Sequence, residues 1–297
     1  PFQSIENIDT PRDEKAIEAQ TSFDFGSGRQ ISGWTNKLIW GDNKYILSSL
    51  KNGPMRDEIE KEGGIKLIYI DPPFDVGADF SMSIPVGEQS YKKKPTVLEH
   101  IAYRDTWGKE AESFLSMIYE RLILMKDLLA DDGSIYVHCD YRLNSSLRLI
   151  LDEIFGKHNF QNEIIWYYRN KMGNSPKNFS KAIDTLLFYS KTKNHYFKEV
   201  RIPRDEPVKQ SKREGRDGKN MRARDESGNI IYEMSYDKKA NNVWDIPFIA
   251  STSKERIAYP TQKPEELIER VIKASSKEND IVCDFFAGSG TTAAVAE

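Results

Sequence analysis

The feature that most limits how this chain can fold is a series of short apolar runs, each closed by turn-forming residues and each separated from the next by a segment of helical periodicity. Ile65–Ile70 is rich in isoleucine and ends in Asp71-Pro72-Pro73-Phe74. Residues 134–139 form a second run, preceded by Phe114, Leu115, Ile118, Leu122, Met125 and Leu129 at helical spacing and by the stop signal Asp132-Gly133. A third run, 281–286, follows a helical stretch at 265–274 that opens behind Pro264, where a missing N–H costs nothing. Short apolar runs of this kind read as strands buried on both faces, and the spacing between them reads as helix. Alternation of the two implies a Rossmann-like, doubly wound α/β sheet that is mostly parallel and has helices on both faces. Residues 37–40, ending at Gly41-Asp42, and a helix over 45–51 complete a βαβ opening with 65–70.

The rest of the chain refines this layout. A helix is expected at 145–155, a strand at 162–168, and at 184–190 its hairpin partner; a terminal hairpin gives the sheet one antiparallel strand. Residues 75–108 have little periodicity and make a loop longer than a connector needs. Residues 191–245 are polar, charged and glycine-bearing, and they interrupt the alternation as an insertion. The expected organisation is therefore an N-terminal arm over 1–35, a first half of the α/β domain over 36–190, the insertion over 191–245, and a second half over 246–297 that is expected to be cut short.

Composition excludes several classes. With 297 residues, 38% hydrophobic and 11% aromatic, the chain has material for a sizeable core. The apolar runs fall far short of the roughly 20 residues that cross a bilayer, and the N-terminus lacks a basic-then-apolar leader, so a cytoplasmic protein with no membrane partner is expected. Cys139 and Cys283 stand far apart in apolar stretches and read as reduced core thiols; with four scattered histidines, no metal site is expected. The formal net charge is −3, but its distribution is uneven. Lys209, Lys212, Arg213, Arg216, Lys219, Arg222 and Arg224 face only Glu214 and Asp217 in their segment, which makes it either a solvated loop or a phosphate-binding patch.

Two motifs carry chemistry. In Asp71-Pro72-Pro73-Phe74 each proline fixes φ and lacks an N–H, so a stiff turn offers a carboxylate, bare carbonyl acceptors and an aromatic plate. Those parts suit a planar amine, with one hydrogen for Asp71, one for the Pro72 carbonyl, and Phe74 stacked on the ring. The plainer reading is a Pro-Pro strand terminator. The second motif, Ile-Val-Cys-Asp-Phe-Phe-Ala-Gly-Ser-Gly-Thr-Thr over 281–292, is a strand entering a glycine turn and then a helix start, which allows close approach of a ligand to backbone. Taken alone it is also compatible with a structural turn; a dinucleotide fingerprint would need a third glycine where Ala293 stands.

Together, and in this order, the two motifs resemble the S-adenosylmethionine-dependent amino-methyltransferases of DNA, in the group where D-P-P-Y/F precedes F-x-G-x-G. The resemblance extends from about Leu38 to Glu297, and Phe74 departs from the commoner Tyr. It implies a catalytic set of Asp71, Pro72, Pro73 and Phe74. It implies cofactor contacts from Asp42, Asp71, Thr261, Lys263, Pro264, Asp284, Phe286, Gly288, Ser289, Gly290 and Thr291. It further implies transfer of methyl from S-adenosylmethionine to N6 of an adenine flipped out of duplex DNA, with cytosine N4, an RNA base, or a silent DNA-binding fragment as the alternatives. The insertion then reads the target sequence, and its seven basic residues, with Lys92, Lys93, Lys94 and Arg104 from the long loop, are the expected DNA contacts. A restriction-modification setting with a nuclease subunit as partner and a solitary regulatory enzyme are equally compatible, and oligomeric state is left open.

Overall fold

A strand buried on both faces alternates its side chains between two cores, and the central strands do so here. The computed structural model describes residues 4–8, 34–73, 82–86, 89–93, 110–170, 176–216, 219–257 and 259–297. The elements are β1 (Ser4–Ile8), β2 (Asn36–Trp40), α1 (Asn43–Asn52), α2 (Met55–Lys61), β3 (Ile65–Ile70), β4 (Met82–Val86), β5 (Gln89–Lys93), α3 (Glu110–Leu128), β6 (Leu129–Cys139), α4 (Asn144–Phe155), β7 (Phe160–Tyr167) and β8 (Ile183–Ser190). They continue as β9 (Arg201–Ser211), β10 (Arg213–Arg216), β11 (Lys219–Arg222), β12 (Tyr232–Lys239), β13 (Val243–Asp245), α5 (Glu265–Ser275), β14 (Ile281–Cys283) and α6 (Thr291–Ala296).

Six strands form the central sheet in the order β13-β7-β8-β6-β3-β14, and only β8 is antiparallel to its neighbours. Ile68 and Ile70 of β3, Ile135 and Val137 of β6, and Leu187 of β8 pack beneath α1 to α4. Leu67, Tyr69, Tyr136, Leu186 and Phe188 face the other way, onto Leu267, Ile268 and Val271 of α5. This second face has thinner helical cover and compensates with aromatic bulk, including Trp166, Tyr168 and Trp244 and a Tyr136–Phe188 stack at 4.3 Å.

Several expectations need correction. The hairpin of β7 and β8 is present, with β8 between β7 and β6, but it is not terminal, because β13 adds a parallel edge strand outside β7 from within the expected insertion. β2 does not join the main sheet; it pairs antiparallel with β1, at the start of the expected arm. The expected loop over 75–108 contains a hairpin, β4–β5. β6 begins directly at the end of α3, with a register shift in its pairing to β3, so the Asp132-Gly133 stop lies inside the strand rather than before it. β14 ends at Cys283, and the residues expected to extend it belong to the glycine turn. No described helix is long and apolar enough to cross a membrane.

Candidate active site

Three parallel neighbours, β14, β3 and β6, end side by side, and an aspartate follows each one: Asp284, Asp71 and Asp140. β8 runs the opposite way and brings Asp184 to the same end. Ligands of open α/β sheets bind at the carboxyl ends of the parallel strands. Four carboxylates meet there in this chain. Asp140 is taken up by the Arg142 guanidinium at 2.7 Å and by the Arg142 N–H at 2.9 Å, so it shapes the turn into α4.

Asp71 lies at the centre. β3 is almost wholly buried and fixes it, and Pro72 and Pro73 end the ladder because they have no N–H to donate. Asp71 Oδ2 accepts from Lys263 Nζ in an ion pair. Asp71 Oδ1 is buried with no hydrogen-bond partner, and stands 3.9 Å from His138 Nδ1. An acceptor left without a partner in this way costs stability unless a ligand's donor fills it. Phe74 lies outside the described residues.

The glycine turn is folded by its own aspartate. Asp284 Oδ1 accepts from the Phe286 N–H at 2.9 Å and Asp284 Oδ2 from the Thr292 hydroxyl at 2.6 Å. Crowding by protein atoms pushes the Asp284 carboxyl up to about 6, against those two hydrogen bonds, and Asp71 adds to the rise. Gly288 and Gly290 adopt φ of 53° and 79°, the left-handed region in which a side chain is strained. A Cβ at Gly290 would meet no protein atom within 4 Å, so bare backbone faces open space. Ser289 Oγ and Thr291 Oγ1 are 2.9 Å apart, and Thr291 Oγ1 stands 3.5 Å from the Lys263 carbonyl.

The segment carrying Thr261, Lys263 and Pro264 is braced from behind. The buried Gln262 side chain accepts from the Ile257 N–H and donates to the Glu255 carbonyl, while the Glu255 carboxylate accepts the Glu265 N–H at the start of α5, behind Pro264. The brace holds Lys263 against Asp71. Asp42 is the N-cap of α1, accepting from the Lys44 N–H at 2.8 Å, and it also meets Arg121 Nη2 at 3.2 Å. Asn43 next to it donates to the Phe285 carbonyl at 3.0 Å, which draws the start of α1 onto the glycine turn.

The structure therefore brings together Asp42, Asp71, Pro72, Lys263, Asp284 and the turn from Phe286 to Thr291. Sequence reasoning missed Asn43, Arg121, His138 and Asp184. Two of these carried a signal: Arg121 is a charge inside the apolar stripe of α3, and His138 is a polar residue inside the apolar run 135–139. The basic cluster is elsewhere. Lys209 is on β9, with its ammonium over the Tyr232 ring at 5.0 Å; Lys212, Arg213, Arg222 and Arg224 are exposed along the β9–β12 ribbon and the β10–β11 hairpin. The ribbon is rooted where the Lys198 N–H meets the Ala274 carbonyl, at the far end of α5 from Lys263. Lys94 and Arg104 lie outside the described residues, as do the side chains of Lys92, Lys93, Arg216 and Lys219.

A family model described as "DNA methylase" matches residues 65–297. The StyLTI Mod subunit of a type III restriction-modification enzyme from Salmonella typhimurium is 26% identical over 87% of this chain and 49% of its own length. The type II methyltransferase M1.MboII of Moraxella bovis is 30% identical over 81% of this chain and 83% of its own length. The DNA adenine methyltransferase YhdJ of Escherichia coli is 27% identical over 87% of this chain and 74% of its own length. Among solved structures, the cytosine-N4-specific PvuII DNA methyltransferase superposes with a TM-score of 0.51 at 18% identity, covering 86% of this chain and 76% of that one, which is a likeness of fold. The chain spans about half the length of the StyLTI subunit.

Proposed function

This chain belongs to the DNA methylase family, and from that premise we propose that it transfers a methyl group from S-adenosylmethionine to N6 of an adenine flipped out of duplex DNA. The observation that carries the reading is Asp71: one carboxylate oxygen is held by Lys263 and the other is buried without a partner, an acceptor that an amine hydrogen would satisfy. Relatives named as type II and type III methyltransferases and as an adenine methyltransferase support the substrate class.

The residues present fit the cofactor. A molecule with a positively charged sulfonium and ammonium suits an end of the sheet where Asp71 and Asp284 stand together, and its carboxylate suits Lys263. Open space at Gly290 leaves room for it against the backbone. When bound, it supplies an electrophilic methyl group.

What the chain's own groups do follows from the amine. The lone pair of an exocyclic amine is delocalised into the base, which makes it a poor nucleophile. Hydrogen bonds from its two hydrogens to Asp71 Oδ1 and the Pro72 carbonyl favour a tetrahedral nitrogen and localise the lone pair. Preorganisation carries the chemistry, and no covalent enzyme intermediate is required. Extruding the nucleotide costs a few kcal/mol of stacking and pairing. The ribbon of β9 and β12, whose eleven-residue strand is about 36 Å long, is long enough to carry its cations from the far end of the sheet toward DNA held at Asp71. Kinship with a Mod subunit supports a restriction-modification setting with a nuclease subunit as partner.

Incubation with S-adenosylmethionine and unmodified DNA, followed by nucleoside mass spectrometry, tests the reading: N6-methyladenine supports it, whereas N4-methylcytosine keeps the mechanism and changes the base. Asp71→Ala is expected to lower the transfer rate by more than about a hundredfold, with DNA affinity within a few fold of wild type. Retained transfer in that variant removes Asp71 from the mechanism.

A further inference from the structure

Resting on the methyl-transfer reading, we propose that His138 is the relay that takes up the proton shed by the target amine, with Asp184 holding its ring for the task. His138 is fully buried at the end of β6, on the same face as Tyr136. Its ring nitrogens meet side chains from two other strand ends. Nδ1 is 3.0 Å from the Tyr69 hydroxyl and 3.9 Å from Asp71 Oδ1, while Nε2 is 3.5 Å from Asp184 Oδ2. The Trp166 ring closes the site edge-on at 5.6 Å. A buried imidazole thus stands between two carboxylates, and one of them is the group that would accept the amine.

The Asp71 oxygen facing His138 is Oδ1, the oxygen with no hydrogen-bond partner; Lys263 holds the other. The amine hydrogen and the imidazole are therefore directed to one atom. The Asp184 carboxylate, 3.5 Å from Nε2 at ion-pair rather than hydrogen-bond geometry, favours by its charge the tautomer that carries its hydrogen there, leaving the Nδ1 lone pair turned toward Tyr69 and Asp71. Tyr69 fits as a donor to that lone pair, because burial and the neighbouring carboxylates hold its hydroxyl far above the ordinary range and keep it protonated. The hydroxyl can turn to accept once Nδ1 is protonated.

The balance is complete. The amine nitrogen forms the N–C bond with its lone pair as the sulfonium's C–S bond breaks, and the nitrogen, now positively charged, must lose one of its two protons. That proton passes to Asp71 Oδ1 and on to His138 Nδ1, which restores the Asp71 carboxylate and leaves an imidazolium between two negative charges. A carboxylate is by nature a weaker base than an imidazole, which makes the imidazole the better final acceptor. The gap from Asp71 Oδ1 to Nδ1 exceeds hydrogen-bond range by about 1 Å, within the reach of a small side-chain adjustment. The Asp184 side chain is 21% exposed, so the proton can leave through it to water.

The test uses His138→Gln and Asp184→Asn in the full chain, with unmodified genomic DNA and S-adenosylmethionine. Single-turnover rates are measured between pH 5 and 9, beside the dissociation constants for cofactor and DNA. The groups facing the imidazole are Tyr69 of β3, Asp71 just after it and Asp184 of β8, with Tyr168 beyond Asp184 and Lys263 beyond Asp71, so the wild-type acid limb belongs to this set. For His138→Gln the rate is expected to fall by about 10²-fold or more, both dissociation constants to stay within about threefold of wild type, and the acid limb to change shape. Asp184→Asn, a milder change at a partly exposed site, is expected to move that limb to lower pH, since an imidazolium without its second carboxylate is more acidic. Wild-type rate in His138→Gln, an unmoved acid limb in Asp184→Asn, or a loss matched by weaker cofactor binding, overturns the relay. If the wild-type chain yields no methylated nucleoside from any DNA, the methyl-transfer reading fails first and the relay falls with it; methylation by wild type together with an unaffected His138→Gln overturns the relay alone.

Discussion

At the residue scale, the site depends on carboxylates held at different degrees of readiness. Asp71 sits in an ion pair with Lys263, while packing raises the Asp284 carboxyl to about 6. A raised carboxyl means that the folded chain binds the proton more tightly than the unfolded one. This group's contribution to stability is therefore fullest below about pH 4 and is lost as pH rises through about 6. A cationic ligand has the opposite preference, for the ionised form. Cofactor affinity measured by calorimetry is expected to strengthen about tenfold between pH 5 and pH 7, and Asp284→Asn is expected to bind more weakly with no such dependence. A flat affinity across that interval in the wild-type chain argues that Asp284 is not a ligand-facing group.

At the element scale, helix α1 is tied to the site by its first two residues. Asp42 caps the helix and also meets Arg121, and Asn43 holds the Phe285 carbonyl. Asp42 thus serves the helix whether or not it also serves a ligand, and one substitution separates the two roles. Serine caps nearly as well as aspartate, so Asp42→Ser is expected to keep thermal stability within about 1 kcal/mol while removing the carboxylate. If cofactor affinity falls at least fivefold in that variant with the melting temperature held, the carboxylate faces the ligand; unchanged affinity confines Asp42 to capping. Composition pointed to a strand at 37–40 feeding the main sheet, yet β2 pairs with β1 instead, because periodicity describes which faces of a strand are buried and not which neighbour buries them.

At the scale of the whole molecule, chemistry and charge are set apart. The carboxylates cluster at one end of the sheet, whereas the exposed cations of β9 to β12 sit on a ribbon rooted at the other. Neither core cluster includes a described residue from 201–239, so the ribbon contributes little to the packing that holds the sheet. Replacing 201–239 by a short Gly-Ser linker is expected to shift the melting temperature by only a few degrees and to preserve cofactor binding, while DNA binding falls by about 10²-fold or more and loses most of its salt dependence. Loss of cofactor binding in the same variant refutes the separation.

The amino-acid sequence by itself determined the layered α/β class, the strand that delivers Asp71, and the glycine turn after Asp284, because each depends on local pattern: apolar period, prolines without N–H groups, and glycines free to take positive φ. Phe74, Lys94 and Arg104 were legible as candidates on the same grounds but lie outside the described residues. Only the tertiary structure decided which strand ends adjoin. His138 is separated from Asp71 by 67 positions and from Asp184 by 46, and no spacing rule connects them; β3, β6 and β8 must first lie side by side, two parallel and one antiparallel, before the three side chains share one end of the sheet. The same holds for Lys263, 192 positions from Asp71, which reaches the carboxylate because the start of α5 packs beside the end of β3. Contacts across a sheet are fixed by strand order, and strand order is settled by burial of whole faces against helices, a property of the assembled chain rather than of any segment of it.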